Sequence, residues 1–231
     1  MKRKKTFLWL AIPAYLIAGL ETLYFCFGGA DVRERLFLLA TVWLLLFFAG
    51  KTQCKSTNAN RERIMKITFL AAFLLYVIFL FSLTLFDPEF GRTGTVSFLF
   101  SDRTAMEEYL RDSVNLTPFE TVLRYVNGYR KGTVTGTVAA TNLLGNFFAL
   151  MPMGLFLPVL SRRCRHFFPF LLATAGTVAL IEGLQLLFMT GACDVDDLIL
   201  NLSGAVIVYL FTAIPPIRKI ILRFAEADRE R

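Results

Sequence analysis

The chain is poor in the residues from which metal centres and nucleophilic sites are built. It has one histidine, His166, and four cysteines, Cys26, Cys54, Cys164 and Cys193, with no Cys-x-x-Cys pair among them. That pattern excludes paired-cysteine zinc ligands and a thioredoxin-type redox motif. A Ser-His-Asp or Cys-His arrangement would have to use His166, which lies among Arg162, Arg163 and Arg165 and reads as a solvated loop residue. The four thiols are expected to be unpaired, and a Cys26 to Cys193 bridge is the one disulfide that the topology derived below permits. Internal repeats, low-complexity stretches and a second globular domain are also missing. Neither a metal nor a cofactor is expected.

What the chain has in excess is apolar length. Of its 231 residues 55% are hydrophobic and 24 are Phe, more than a soluble domain of this size needs to fill its core. The formal charge of +7 does not point to nucleic acid, because the basic residues sit between apolar runs and form no stripe with interleaved aromatics. A bilayer core of about 30 Å needs roughly 20 apolar residues as helix. Charge-poor stretches approach that length at Phe7 to Phe27, Leu36 to Gly50, Ile67 to Phe86, Val138 to Leu160, Phe168 to Thr190 and Leu198 to Pro216. The second is the shortest. The fold expected is all-α, a polytopic membrane helical bundle of about six transmembrane helices. The first thirty residues also imitate a signal peptide ending at Gly28-Gly29-Ala30, but the apolar run is long for one and reads as an anchor.

Charge sets the orientation. Lys2, Arg3, Lys4 and Lys5 precede the first stretch, Lys51, Lys55, Arg61, Arg63 and Lys66 follow the second, and Arg162, Arg163 and Arg165 follow the fourth. All fall on one side, with Arg218, Lys219, Arg223, Arg229 and Arg231 of the tail, so both termini are expected in the cytoplasm. Three parts follow: an N-terminal two-helix extension over 1–66, a core over 67–216 with a long extracytoplasmic loop at 87–137, and a basic cytoplasmic tail over 217–231 that reads as a short interfacial helix. Inside the loop, Thr104 and Glu107 resemble a capping box opening a short helix to Val114, Asn115-Leu-Thr-Pro-Phe119 breaks it, and Glu120 to Tyr129 reads as a second short helix.

An ionisable group within a span is expensive and therefore raises a question of function. Glu21, towards the outer end of the first span, is expected to meet a neighbouring helix or interfacial water. Glu182 lies deeper, with Gln185 three residues on and on the same helical face. Asn142 and Asn146 repeat the device in the fourth span, with Gly145 between them and a bend expected at Met151-Pro-Met-Gly154. The sixth span opens with Asp194, Asp196 and Asp197, followed by Asn201 and Gly204. With the orientation above, these groups converge near the outer leaflet. Asparagine and glutamine bonding across helices explains part of the set, but Glu182, Asp194 and Asp197 exceed what such glue requires. Paired carboxylates can act as acid and base, hold a cation, or bind a sugar or peptide headgroup. Asp194-Val-Asp-Asp197 lacks the glycine and trailing Glu of an EF-hand, so no metal is assigned.

Asn115-Leu-Thr-Pro-Phe119, Asn142-Leu-Leu-Gly-Asn146 running into Met151-Pro-Met-Gly154, Ile181-Glu-Gly-Leu-Gln185, and Asp194-Val-Asp-Asp-Leu198 with Asn201 and Gly204 resemble the VanZ-like family in order and spacing. The resemblance covers roughly Leu70 to Phe211. It implies a multi-pass protein of the bacterial plasma membrane, whose namesake confers low-level teicoplanin resistance, and it implies no assigned reaction. Members usually carry a basic residue in the turn where this chain has Thr190-Gly191-Ala192-Cys193, a departure that Arg124 or Arg130 of the outer loop could compensate. The ligand-binding set expected is Asn115, Asn142, Asn146, Glu182, Gln185, Asp194, Asp197 and Asn201, with Glu182, Asp194 and Asp197 as the candidates for any catalysis. Its partners would be the lipid bilayer and a lipid-linked cell-wall precursor or a lipoglycopeptide, not nucleic acid. The alternative is a membrane scaffold or assembly protein whose polar residues act only between helices.

Overall fold

The structure, a computed structural model, describes residues 2–27, 32–56, 61–86, 99–100 and 102–225. Its helices are α1 (Lys2–Phe27), α2 (Val32–Ser56), α3 (Arg61–Phe86), α4 (Arg103–Ser113), α5 (Glu120–Arg130), α6 (Gly136–Ala149), α7 (Met153–Leu160), α8 (Phe167–Leu187), α9 (Val195–Ala213) and α10 (Pro215–Ala225). The only strands among the described residues are β1 (Val114–Asn115) and β2 (Cys193–Asp194). The protein is thus an all-α membrane helical bundle. Five segments are long and apolar enough to cross a bilayer: Glu34–Thr52, Arg63–Leu85, Gly136–Leu160, Phe167–Leu187 and Val195–Ala213. The first expected span, Phe7 to Phe27, lies in α1, whose described apolar stretch, Ala11–Tyr24, is shorter by itself. Gly28-Gly29-Ala30 and the loop before Leu99 lie outside the described residues, as do the side chains of Cys26 and Cys54.

The chain divides into two compact units, one of residues 1–79 with 214–231, the other of residues 80–213. In the first, Ala11 and Ala14 of α1 pack on Ala49 of α2, small side chains that let the two backbones approach closely. Glu21 meets a neighbouring helix here: the Thr41 hydroxyl of α2 donates to its Oε2 at 2.9 Å. The α2 to α3 seam is made by Trp43 donating to Ala72 O at 3.0 Å and by Phe47 lying edge-on to Phe69 with centroids 4.9 Å apart.

In the second unit α9 packs against α6, α7 and α8. The buried residues of α8 are Phe170, Thr174, Val178, Ile181, Glu182 and Gln185, one stripe at helical spacing, so the same periodicity that turns Leu172 and Leu180 outward carries the two polar side chains inward. Exposed Leu and Phe on the opposite face would be a liability in water but suit lipid. The expected bend is present: α6 ends at Ala149 and α7 begins at Met153, with Pro152 between them unable to donate to the helical ladder. Tyr209 of α9 stacks on Phe170 of α8 with centroids 4.3 Å apart and donates to Arg165 O at 2.9 Å.

One local expectation is corrected. The N-cap of α4 is Asp102, whose carboxylate accepts from Thr104 N and Ala105 N, and Glu107 pairs instead with Arg103 at 3.1 Å. An aspartate is a strong cap, so the helix starts two residues earlier than a threonine cap would have set it.

Glycine contacts make a test. A Cβ on Gly204 would run into the carbonyl oxygen of Phe147 in α6, whereas one on Gly183 or Gly176 would meet nothing within 4 Å. Gly204→Ala should therefore destabilise by about 1–3 kcal/mol, since the backbones must part. Gly183→Ala should stabilise by up to about 1 kcal/mol through helix propensity. Thermal unfolding of the purified protein in detergent checks the pair, and equal effects would contradict the α6 to α9 packing.

Candidate functional site

The site is assembled where α8 ends and α9 begins. Phe188 caps α8, Met189 takes a left-handed conformation at φ 49°, and Thr190 N donates to Gln185 O at 3.0 Å, closing the helix. The chain then turns into β2, which pairs in parallel with β1, setting Asn115 opposite Asp194. Tyr109 of α4 secures the turn from above, its hydroxyl donating to Gly191 O and, at 3.3 Å, to Gln185 O.

A layer of side-chain bonds follows from that pairing. Asp194 N donates to Glu182 Oε2 at 3.1 Å, and Asp194 Oδ1 accepts both from Asp196 N at 2.9 Å, capping α9, and from Asn115 Nδ2 at 3.1 Å. Asn115 Oδ1 accepts from Thr117 N at 3.0 Å, an Asx turn that starts the Leu116–Phe119 bend. Asp196, only 1% exposed, accepts from Phe119 N on one oxygen and from Val122 N, at 3.1 Å, on the other. It therefore satisfies amides at the start of α5 that no intrahelical partner could. Phe119 itself is left-handed at φ 66°, a costly conformation for a large side chain, and the Asp196 carboxylate holds it there.

Beside this layer lies a small cavity of about 20 Å³, lined by Thr84, Asn146, Glu182, Gln185, Asp197 and Asn201 and by the aliphatic side chains of Leu80, Ala149, Val178 and Ile181. The polar groups come from four helices, α3, α6, α8 and α9. Asn146 of α6 donates to Asp197 Oδ1, Asn201 donates to Asp197 O at 2.8 Å, and Gln185 Nε2 donates to Thr84 O at 2.7 Å. Gln185 is 2% exposed, and its Oε1 finds no hydrogen-bond partner among the described residues; the same holds for Thr190 Oγ1.

Of the residues singled out by sequence, Asn146, Glu182, Gln185, Asp197 and Asn201 line one cavity. Asn115 and Asp194 stand in the bonded layer beside it. Asn142 does not join them: its amide turns to Val138 O of its own helix at 2.9 Å. Arg124 reaches Thr121 Oγ1 at 2.7 Å, and Thr121 accepts in turn from Asn115, so the guanidinium connects to the layer through a hydroxyl. Arg130 is exposed. Sequence reasoning missed Asp196, Tyr109 and Thr121. Asp196 had a signal, a carboxylate in the first turn of a helix, but its partners are 74 and 77 residues away. Among the described residues no group of three or more His, Cys, Asp or Glu is placed to hold a metal ion.

Cys193 is a free thiol at the rim. Burial pushes its pKa up, and the negative charges of Glu182, Asp194 and Asp197 push it further in the same direction, since a thiolate there is repelled. Two measurements follow. Maleimide labelling of Cys193 should be slow at neutral pH and accelerate above the usual thiol range, and Asp197→Asn, which removes one repelling charge, should move that acceleration to lower pH. An unchanged profile would remove Asp197 from the rim. Asp196→Asn leaves one of two backbone donors facing an amide NH2, for a loss of about 1–3 kcal/mol, with hydrogen exchange quickened at Phe119 and Val122 before the rest of the bundle.

The family model described as VanZ/LLP1 matches residues 73–216 of the chain. No curated protein and no solved structure matches it.

Proposed function

The chain belongs to the VanZ/LLP1 family, and from that premise we propose that it is a multi-pass protein of the bacterial plasma membrane that binds or modifies a cell-wall precursor or a lipoglycopeptide at the outer leaflet. Low-level protection against teicoplanin is the phenotype this reading carries. The observation behind it is the cavity near the α8 to α9 turn, lined by two carboxylates and three amides of membrane-length helices, of which Glu182, Gln185 and Asn201 are buried and Asn146 and Asp197 half-buried. Burying such groups at bilayer depth is expensive and persists where a polar ligand or a polar network repays it. The run of Lys and Arg on the opposite side supports an outward-facing site and cytoplasmic termini.

A second reading has its own support, and the two divide the residues. Asn115, Asp194 and Asp196 have protein partners and hold the α4 to α5 segment to the α8 to α9 turn, as a scaffold requires. Asn146, Glu182, Gln185, Asp197 and Asn201 also have protein partners, but they line a cavity, as a binding site requires. A scaffold or assembly protein needs the first group and not the second.

Susceptibility separates them. A strain expressing the wild-type chain is compared with strains carrying Glu182→Gln and Asp197→Asn at equal membrane levels, against teicoplanin and vancomycin. A binding or modifying protein loses at least half of its teicoplanin protection in both variants, and loses all of it with Glu182→Gln if that carboxylate transfers a proton. Full protection by both variants establishes the scaffold reading, and no protection by any chain removes the lipoglycopeptide phenotype.

A further inference from the structure

Contacts at both ends fix the level at which α5 stands. At its start, Phe119 N and Val122 N donate to Asp196, the second residue of α9. At its end the Tyr129 ring lies against Gly136, the first residue of α6, where an added Cβ would come within 3.1 Å of it. Both α6 and α9 open segments of membrane length, Gly136–Leu160 and Val195–Ala213. They start nearly level, since Gly204, at position 9 beyond Val195, meets the carbonyl of Phe147, at position 11 beyond Gly136. The 19 residues of α9 measure about 28 Å, close to the thickness of a bilayer core. Its first turn therefore stands where hydrocarbon gives way to headgroups. Tied near that level at both ends, α5 runs along the bilayer surface rather than away from it.

One side of α5 suits that setting. Leu123 N donates to Phe119 O at 2.9 Å, which sets Leu123 one turn beyond Phe119, and Val126 and Arg130 follow on the same ridge by helical spacing. Phe119 is 56% exposed and Leu123 55%, while Val126 is half-buried and Arg130 exposed. Glu120, Arg124 and Asn127 form the exposed polar face beside the ridge. Asp196 holds Phe119 left-handed with its ring outward, so packing inside the chain does not recover the strain. The neighbouring α6 turns Val138 and Phe148 outward as well, a surface that suits lipid. An apolar ridge ending in a cation, with a polar face beside it, is the pattern of a helix lying in a membrane interface. We infer that α5 docks on the phospholipid monolayer on the side where α9 begins. Phe119 and Leu123 reach among the acyl chains, Arg130 stands at the phosphates and Asn127 faces water. The bonded layer of Asn115, Thr121 and Asp194 then lies at headgroup level. This rests on the chain being a membrane bundle and not on any reading of the cavity.

The test uses the full chain in nanodiscs of phosphatidylcholine and phosphatidylglycerol, with Cys26, Cys54, Cys164 and Cys193 replaced by alanine. A nitroxide is attached in turn to Leu123→Cys, Asn127→Cys and Arg130→Cys, and its collisions with molecular oxygen, which concentrates in lipid, and with a water-soluble nickel chelate are measured. The ratio of oxygen to nickel collisions should be at least about fivefold higher at position 123 than at 127, with 130 between them, as an apolar ridge sunk below the headgroups requires. Equal ratios at 123 and 127 put the ridge in water. Shielding of 123 from both reagents puts it under protein, such as a second copy of the chain, and a lipid ratio at 127 as well submerges the whole helix. Each of these overturns the inference. Should the cysteine-free chain fail to fold, Leu123→Trp in the otherwise native chain answers the same question. Its added emission, read against the parent chain with its two tryptophans, should be quenched by lipid brominated in the acyl chain and spared by aqueous iodide. The reverse pattern overturns the inference.

Discussion

The structure depends most on where the amides at the start of α5 find their acceptors. Phe119 and Val122 stand where no carbonyl of α5 itself can take their amide protons. Asp196, 1% exposed, takes both. A carboxylate bearing two backbone donors is strongly oriented, and because it sits in the first turn of α9 it also lies where the helix dipole favours negative charge. Everything nearby inherits that placement. The α4 to α5 segment is held over the α8 to α9 turn, β1 can pair with β2, and Asn115 is delivered to Asp194.

A second constraint acts from below. The absence of a side chain at Gly204 lets α9 come against the Phe147 carbonyl, and Gly154 does the same for α7, where a Cβ would lie 2.6 Å from Ala205 O. Close approach of α6 brings Asn146 to Asp197. The break at Leu150–Pro152 then lets α7 follow α9 on its own course, with Thr212 donating to Gly154 O at 2.9 Å. Polar contacts and glycine contacts are therefore not rival explanations for this bundle. The glycines set the distance at which the amides and carboxylates can meet.

From these two constraints comes a division among residues of the same chemical type. Asp194 and Asp196 use their oxygens to cap helices and to hold a segment in place, whereas Asp197 and Glu182 line a cavity together with Gln185. Of four carboxylates within sixteen positions, two thus line the cavity and two stand outside it, and Glu182, although it lines the cavity, also accepts from Asp194 N.

The bundle, its apolar segments, the proline bend and the convergence of Asn146, Glu182, Gln185, Asp197 and Asn201 were legible in sequence, because hydropathy and helical spacing are local properties: residues three or four apart share a face whatever the rest of the chain does. The family resemblance was legible for the same reason, as motifs in fixed order. Other features were decided only in three dimensions. Asn142 has the spacing of a site residue, but its amide bonds to Val138 O of its own helix and it does not line the cavity. Asp102 displaced Thr104 as the cap of α4 because the choice depends on backbone geometry two residues upstream. Asp196 could not be told from its neighbours, because its role is set by amides 74 and 77 residues away. Which carboxylate holds the fold and which faces the cavity is a matter of donor positions in space, and sequence spacing does not encode them.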